Sequence, residues 1–332
     1  MKAALRLTRC GPWVSVQDRG RPGYQRYGIS ESGAMDPVSL VIANRLAGNG
    51  PGEACLEVGG PGLTMTPEGD EATVAVAGPA PRVWLDGGEI TGNRGFRLAP
   101  GRTFRVAPSP SSAFVYLAAH GGFELSPMFD SLSFHARSGI GGTGEGALGE
   151  GAVLPVKGPA GPELALAEHP PIAPAKIAIL KGPQFDHLEP GSWEALLETS
   201  WKIGARSDRM GVRLEGPVLK HTDKGYNIVS DGIALGSVQL PGDGKPIVLA
   251  ADRQTTGGYP KIAVIARADM PHFAQLPAGT FVRFREVTLE AAIGLLKTRA
   301  QRIARLKIGP VGRGLDSESL LSVNLIGGVI RG

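Results

Sequence analysis

Short apolar runs broken by glycine, proline or aspartate dominate the chain, and each is the length of a β-strand. The clearest are Thr73–Ala77, Phe114–Ala118, Lys176–Leu180, Ile247–Ala251, Ile262–Ala266 and Thr280–Phe284. Through and just past the last, Phe281, Arg283 and Arg285 alternate with Val282 and Phe284, the period-2 pattern of a half-buried strand. Two segments carry the helical period instead. The first runs from Pro37 to Ala47, with Asp36 as N-cap, Pro37 in the first turn and Gly48 as the stop. Its body is apolar nearly all round, which predicts a buried helix. The second runs from about Glu290 to Leu306, with Leu289, Ile293, Leu296, Ala300 and Ile303 on one stripe that should pack on a barrel or on a partner.

Between them, residues 161–175 are rich in proline and read as a semi-rigid linker. The expected organisation is a first domain over 1–160, a second over 176–288, and a C-terminal helix and tail over 289–332. The tail ends in an apolar stretch, Leu320 to Ile330, suited to adding a strand, covering an edge or docking on another chain. Composition agrees with a mainly β reading. The 332 residues include 49 glycines and 27 prolines, which favour tight turns over long helices.

The charge balance is small, +4 from 35 basic and 31 acidic residues. The densest basic run, Lys297, Arg299, Arg302, Arg305 and Lys307, has helical spacing and reads as a solvated face, so no nucleic-acid partner is expected. Cys10 and Cys55 lack the spacing of a disulfide framework or zinc site, and the six histidines are scattered, so no metal is expected. Met1 to Trp13 lacks a signal-peptide core and no run is long enough to span a membrane; a cytoplasmic location is expected.

Familiar nucleotide motifs fail on context. Gly144–Gly149 matches G-x-G-x-x-G, but a glycine-rich loop precedes it and the strand-like Ala152–Val156 follows, the reverse of a dinucleotide fingerprint. Gly242-Asp243-Gly244-Lys245 has neither the spacing nor the hydroxyl of a P-loop. There is no G-x-S-x-G elbow.

Three polar segments stand out. Val16–Tyr24 with Ser30–Pro37 is dense in polar groups and glycines and runs into the buried helix; Asp36 would cap that helix itself, leaving the preceding loop to line a cleft. Arg206–Gly216 holds three arginines and two carboxylates in eleven residues, which suits either a binding site or an internal ion-pair network. Gln239–Pro246 leads through an apolar strand to Asp252–Lys261, a ten-residue polar loop between two strands. Rigid scaffolds present binding groups in this way. Here the groups are Gln254, Thr256, Tyr259 and Lys261, beside the pair Gly257–Gly258.

The stretches SVQDRGRPGYQRYGISESGAMDPVSLVIANRLAGN, RSDRMGVRLEGP and SVQLPGDGKPIVLAADRQTTGGYPKIAVIARADM together resemble the family that holds the C-type subunit of 5-oxoprolinase and the second allophanate hydrolase subunit. The same pattern belongs to the carboxyltransferase domain of urea carboxylase and to the antagonist of a sporulation kinase inhibitor. The similarity covers roughly Leu5 to Val287. It implies a mainly β fold of two cyclophilin-like β-barrel subdomains with a few short helices. It also implies that such a chain joins a B-type subunit of similar fold and an A-type subunit to open the lactam of 5-oxoproline to glutamate with ATP bound by the complex.

Carried over by position, the resemblance places Gln17, Asp18, Arg21, Ser32, Gly33, Met35 and Asp36 in the first half of the cleft. Arg209, Gln239, Asp243, Gln254, Thr256, Gly257, Gly258, Tyr259 and Lys261 form the second half. The polar hairpin is expected to face inward across a groove shared by the two barrels. Gln254, Tyr259 and the amides of Gly257–Gly258 would face the negative oxygen that develops on the activated amide. Lys261 would bind a carboxylate or phosphate, and Asp18 or Asp243 would act as general base. Two positions depart from the pattern: Leu132 replaces an arginine, and Ser230-Asp231-Gly232 replaces Ser-Glu-Gly. One alternative is a biotin-dependent carboxyltransferase half acting on a urea-like amide, with biotin on another polypeptide. Another is a non-enzymatic regulator that binds a kinase-inhibitor-like partner.

Overall fold

The computed structural model describes residues 2–144, 146–167 and 174–311. Among these residues the chain is mainly β with four α-helices, α1 (Pro37–Leu46), α2 (Pro190–Glu198), α3 (Met270–Ala274) and α4 (Leu289–Arg305). The first half is built on two sheets. One runs in the order Val153–Pro155, Ala4–Cys10, Leu63–Glu68, Phe104–Ala107, Arg82–Leu85, Gly88–Ile90. The other begins Val14–Gln17, Cys55–Gly59, Phe114–Ala119, Ala72–Ala77, Arg94–Leu98. Their facing side chains, among them Leu5, Leu7, Val16, Leu56, Val74, Phe104 and Leu117, form one buried core.

The second half is built on an eight-stranded sheet that nearly closes on itself, with a separate two-stranded ribbon of Asp231–Gly232 and Thr256–Gly257. The edges of the larger sheet are Phe281–Val282 and Phe284–Glu286, consecutive segments separated only by Arg283. The sequence predicts one strand there, over Thr280–Phe284. The structure divides it because the chain passes from one edge of the barrel to the other. Other predicted strands recur within a residue or two, such as Ala72–Ala77, Ile177–Lys181 and Lys261–Ile265. Short α2 and α3 have no counterpart among the predicted elements; each starts with proline in its first turn.

Helix α1 forms as its sequence dictates. Asp36 accepts from the amides of Val38 (3.0 Å) and Ser39 (3.1 Å), and the buried side chains include Leu40, Ile42, Ala43 and Leu46. Thr288 caps α4 through the amide of Ala291. Of the predicted stripe of α4, Leu289 (60%), Ile293 (45%), Leu296 (37%) and Ala300 are exposed and do not pack on the barrel, whereas Ile303 is half-buried. The helix instead turns Ala292, Leu295 and Arg299 inward. Arg299 donates to the carbonyls of Arg267 (2.7 Å) and Ala268 (2.9 Å), and Arg45 of α1 donates to those of Ile303 (2.5 Å) and Leu306 (2.9 Å). These polar anchors, which hydrophobic periodicity does not register, set the rotation of α4.

The segment read as a linker contains a strand, Leu164–Leu166, and the chain beyond α4 contains another, Ile308–Pro310. They pair with each other, and Ala165 pairs with Arg94, so both extend the second sheet of the first half. Helix α4 therefore leaves the second barrel and returns the chain to the first. The apolar stretch Leu320 to Ile330 lies outside the described residues.

Candidate functional site

At the end of the strand Val14–Gln17 the chain turns through Asp18. That carboxylate accepts from the amides of Gly20 (2.8 Å) and Leu132 (2.6 Å) and from the hydroxyls of Ser131 (2.6 Å) and Ser133 (2.5 Å). It thus joins two turns, and its acceptor positions are taken by donors within the chain. Gly20 sits at φ +79, where a Cβ would lie 2.6 Å from the carbonyl of Glu31, so only glycine fits.

Arg21 packs beneath, with 1% of its surface exposed. Its Nη2 donates to the carbonyl of Ser133, while Nε and Nη1 have no partner among the described residues. Burial lowers its pKa, against the opposing fields of Asp18 and Asp252. Next to it, Gln17 donates to Ser15 Oγ (2.9 Å) and to the carbonyl of Phe134 (2.9 Å), leaving its buried Oε1 unpartnered.

A buried ion network joins the two halves. Arg209 pairs with Glu57, donates to both oxygens of Asp252 (2.9 Å each), and donates to the carbonyl of Gly33 (2.7 Å). Ser32 donates to Asp252 (2.5 Å), and the amide of Met35 and the hydroxyl of Tyr116 donate to Glu57 at 2.8 and 2.5 Å. Burial opposes the charge on Arg209, but Glu57 and Asp252 outweigh it and hold its pKa above the ordinary value. Asp36 takes up four donors, including Ser39 Oγ (2.5 Å) and Gln275 Nε2 (2.8 Å). Of the two openings left by the sequence for Arg206–Gly216, the internal network is the one Arg209 makes.

The second-half hairpin lies against the 228–233 segment. Asp231 and Gly232 pair with Gly257 and Thr256, and Ile228 donates to the carbonyl of Gly258 (2.9 Å). Lys261 is buried and donates to Asp231 (3.0 Å); this bond is the main reason the Asp231 pKa falls below its ordinary value. Gln239 is also buried, with Nε2 unpartnered. A Cβ on Gly257 would lie 2.9 Å from that nitrogen and 2.8 Å from Ile233 Cδ1, so the glycine permits the close approach. The first half grips this hairpin through Gln25 to the carbonyls of Ile233 (2.8 Å) and Thr255 (3.1 Å), Ser30 to that of Arg253 (3.0 Å), and the Arg253–Glu31 ion pair (2.9 Å).

The hairpin does not face wholly inward. Lys261 and Gln239 are inside, but Gln254, Thr256 and Tyr259 (42%) are exposed. Two cavities of about 810 and 510 Å³ lie elsewhere along the junction; Asp36 lines the first and Met35 the second, and Gln254, Tyr259 and Lys261 line neither. Asp243 stands apart in an exposed turn, where it accepts from the amide of Lys245 (3.1 Å). That turn packs on the 218–219 segment through Leu219 N to the carbonyl of Gly244 (2.9 Å). Within it the amide of Gly244 donates to the carbonyl of Pro241 (3.0 Å).

The residues that sequence patterning misses are the partners. Glu57 is a lone acid in an apolar strand, Cys55–Gly59, and such a group must be paired when buried. Asp252 and Arg253 directly precede Gln254, and Ser131 and Ser133 flank the departing Leu132. Among the described residues, no group of three or more His, Cys, Asp or Glu is placed to hold a metal. Each half keeps unpartnered buried polar atoms, Arg21 Nε and Nη1 and Gln17 Oε1 in the first and Gln239 Nε2 in the second. Such groups suit a small, planar polar ligand whose negative charge grows during reaction.

Residues 27–286 match the family described as "Carboxyltransferase domain, subdomain A and B". The match begins beyond Gln17, Asp18 and Arg21. The chain is 35% identical to the C-type subunit of 5-oxoprolinase from Escherichia coli, over 87% of this chain and 93% of that one. Its fold is similar to the crystal structure of TTHA0988 (TM-score 0.76, 32% identity), covering 86% of this chain and 56% of that one. It is also similar to the urea amidolyase of K. lactis (TM-score 0.83, 27% identity), covering 92% of this chain but 20% of that much longer enzyme.

Proposed function

This chain belongs to the carboxyltransferase-domain family, subdomains A and B, and from that premise we propose that it is the C-type subunit of an ATP-dependent 5-oxoprolinase. In this reading it works with B-type and A-type subunits in opening the 5-oxoproline lactam to L-glutamate. The observation that carries the reading is the near full-length match to the E. coli protein, 93% of that chain, against 20% of the K. lactis urea amidolyase.

The lactam is a poor electrophile until its oxygen is activated. The chain's contribution is to hold it. In this reading the buried, unpartnered donors Arg21 Nε and Nη1 or Gln239 Nε2 serve the lactam oxygen, and Gln17 Oε1 serves the ring N–H. A donor aimed at developing negative charge in such a site is worth about 3 kcal/mol of barrier. Lys261, fixed by Asp231, adds positive charge on the hairpin side. The general base is left to Asp18 or Asp243 only in the assembled complex, since one is saturated with donors and the other stands in an exposed turn. In this reading ATP is bound by the assembled complex.

Co-expression with the neighbouring subunits, followed by assay of glutamate release, tests the proposal. Release should require 5-oxoproline, ATP and all subunits together. A stable complex that consumes no 5-oxoproline would refute it. If that complex instead moves a carboxyl group from a biotin carrier to urea, the carboxyltransferase reading takes its place, favoured by the fold match to the urea amidolyase.

A further inference from the structure

The cavity of about 810 Å³ lies where α1, α4 and the segment around α3 meet, and none of the functional residues assigned above except Asp36 lines it. Its size is that of pockets that enclose a medium-sized organic ligand. Val38, Ile42, Ile90, Leu295, Ile303 and Leu306 supply apolar walls.

Arg285, Arg299 and Arg302 also line it, and none of the three forms an ion pair among the described residues. Arg299 spends Nη1 on two carbonyls and makes no other hydrogen bond among those residues. The two carboxylates in the wall face their own donors. Asp36 holds Val38, Ser39 and Gln275, and Asp269 accepts from the amide of Ala178 (2.8 Å). His272, also in the wall, has its pKa lowered by burial, which favours the neutral ring and adds no positive charge there. Arg299 is half-buried in the fields of Asp36 and Asp269. Arg285 is half-buried and Arg302 exposed at the rim. Guanidinium groups beside an apolar hollow suit an anion carried on an apolar body.

We propose that this cavity is a second binding site, for an amphipathic organic anion whose carboxylate meets Arg285, Arg299 and Arg302 while its acyl or ring body packs between α1 and α4. The site is independent of the lactam-holding groups. Because α4 leaves the second barrel and is anchored on α1 of the first, a ligand here would bear on how the two halves are held.

The test uses the full chain and 8-anilinonaphthalene-1-sulfonate, an apolar ring system with one anionic group. Its fluorescence should rise saturably to one equivalent per chain and be displaced by decanoate at concentrations where decanol has little effect. The double charge reversal R285E/R302E should weaken both the probe and decanoate by on the order of tenfold or more, the scale expected for losing charge-assisted bonds. Should that variant fail to fold, T298W narrows the cavity from an exposed position on α4 and should weaken binding likewise. Absence of saturable binding overturns the proposal, as does equal displacement by decanol, or binding unaffected by these substitutions. Loss of binding in I293E would also overturn it, since Ile293 is on the exposed stripe of α4 rather than in the cavity wall.

Discussion

A guanidinium held out of water with two nitrogens unbonded costs roughly 1–3 kcal/mol per unmet group, and Arg21 is such a residue. A cost of that kind is tolerated where the group serves a ligand. Replacing Arg21 with Met is therefore expected to leave stability within about 1 kcal/mol of wild type, because the orphaned donors vanish with the charge. Turnover in the reconstituted complex should fall about a hundredfold; thermal melts and steady-state rates measured together separate the two effects. Arg209 behaves oppositely, since Glu57 and Asp252 depend on it. Arg209→Ala should destabilise the chain by about 3–5 kcal/mol in urea titrations, through two carboxylates left buried without their cation. His272 gives a pH signature. Burial lowers its pKa, so the unfolded chain takes up a proton near pH 6.5 that the folded chain refuses until lower pH. Stability should fall as pH drops from about 6.5 toward that lower pKa, and His272→Gln should flatten this limb in melts from pH 7 to 5.

Local structure followed local chemistry most closely in α1, where cap, first-turn proline and terminal glycine are all read correctly from sequence. Asp36→Ala removes bonds to two amides, Ser39 Oγ and Gln275. It is expected to cost at least about 1–2 kcal/mol by denaturant titration. In the polar hairpin the sequence identifies the loop but not its inner face. Register puts Gln239 opposite Lys261 inside the barrel, while Gln254 and Tyr259 lie on the rim. Gly257→Ala should press on Gln239 and Ile233 and lower turnover on the order of 10–100-fold, with the chain still folded by circular dichroism. In α4 periodicity locates the helix and its apolar stripe, but Arg299 and the carbonyls that bind Arg45 turn a different side toward the barrel and leave Leu289, Ile293 and Leu296 exposed.

The two halves share a buried ion network, the bonds from Gln25, Ser30 and Arg253, and a helix and strand that cross from one to the other. Calorimetry should accordingly give one cooperative transition for the whole chain; two well-separated transitions would contradict that coupling. A boundary drawn at the prolines suggests two bodies and a tether, whereas Leu164–Leu166 and Ile308–Pro310 each add a strand to a sheet of the first half. Sequence by itself determined what short-range physics encodes: strand and helix periods, caps, turns, and the polar loops that resist any core role. Only the tertiary structure decided which of those polar groups meet. Glu57 and Arg209 are 152 positions apart, and Gln25 and Thr255 are 230 apart. No local period records such pairings, because they arise when two separately patterned sheets close and each buried charge or amide must find, or lack, a partner.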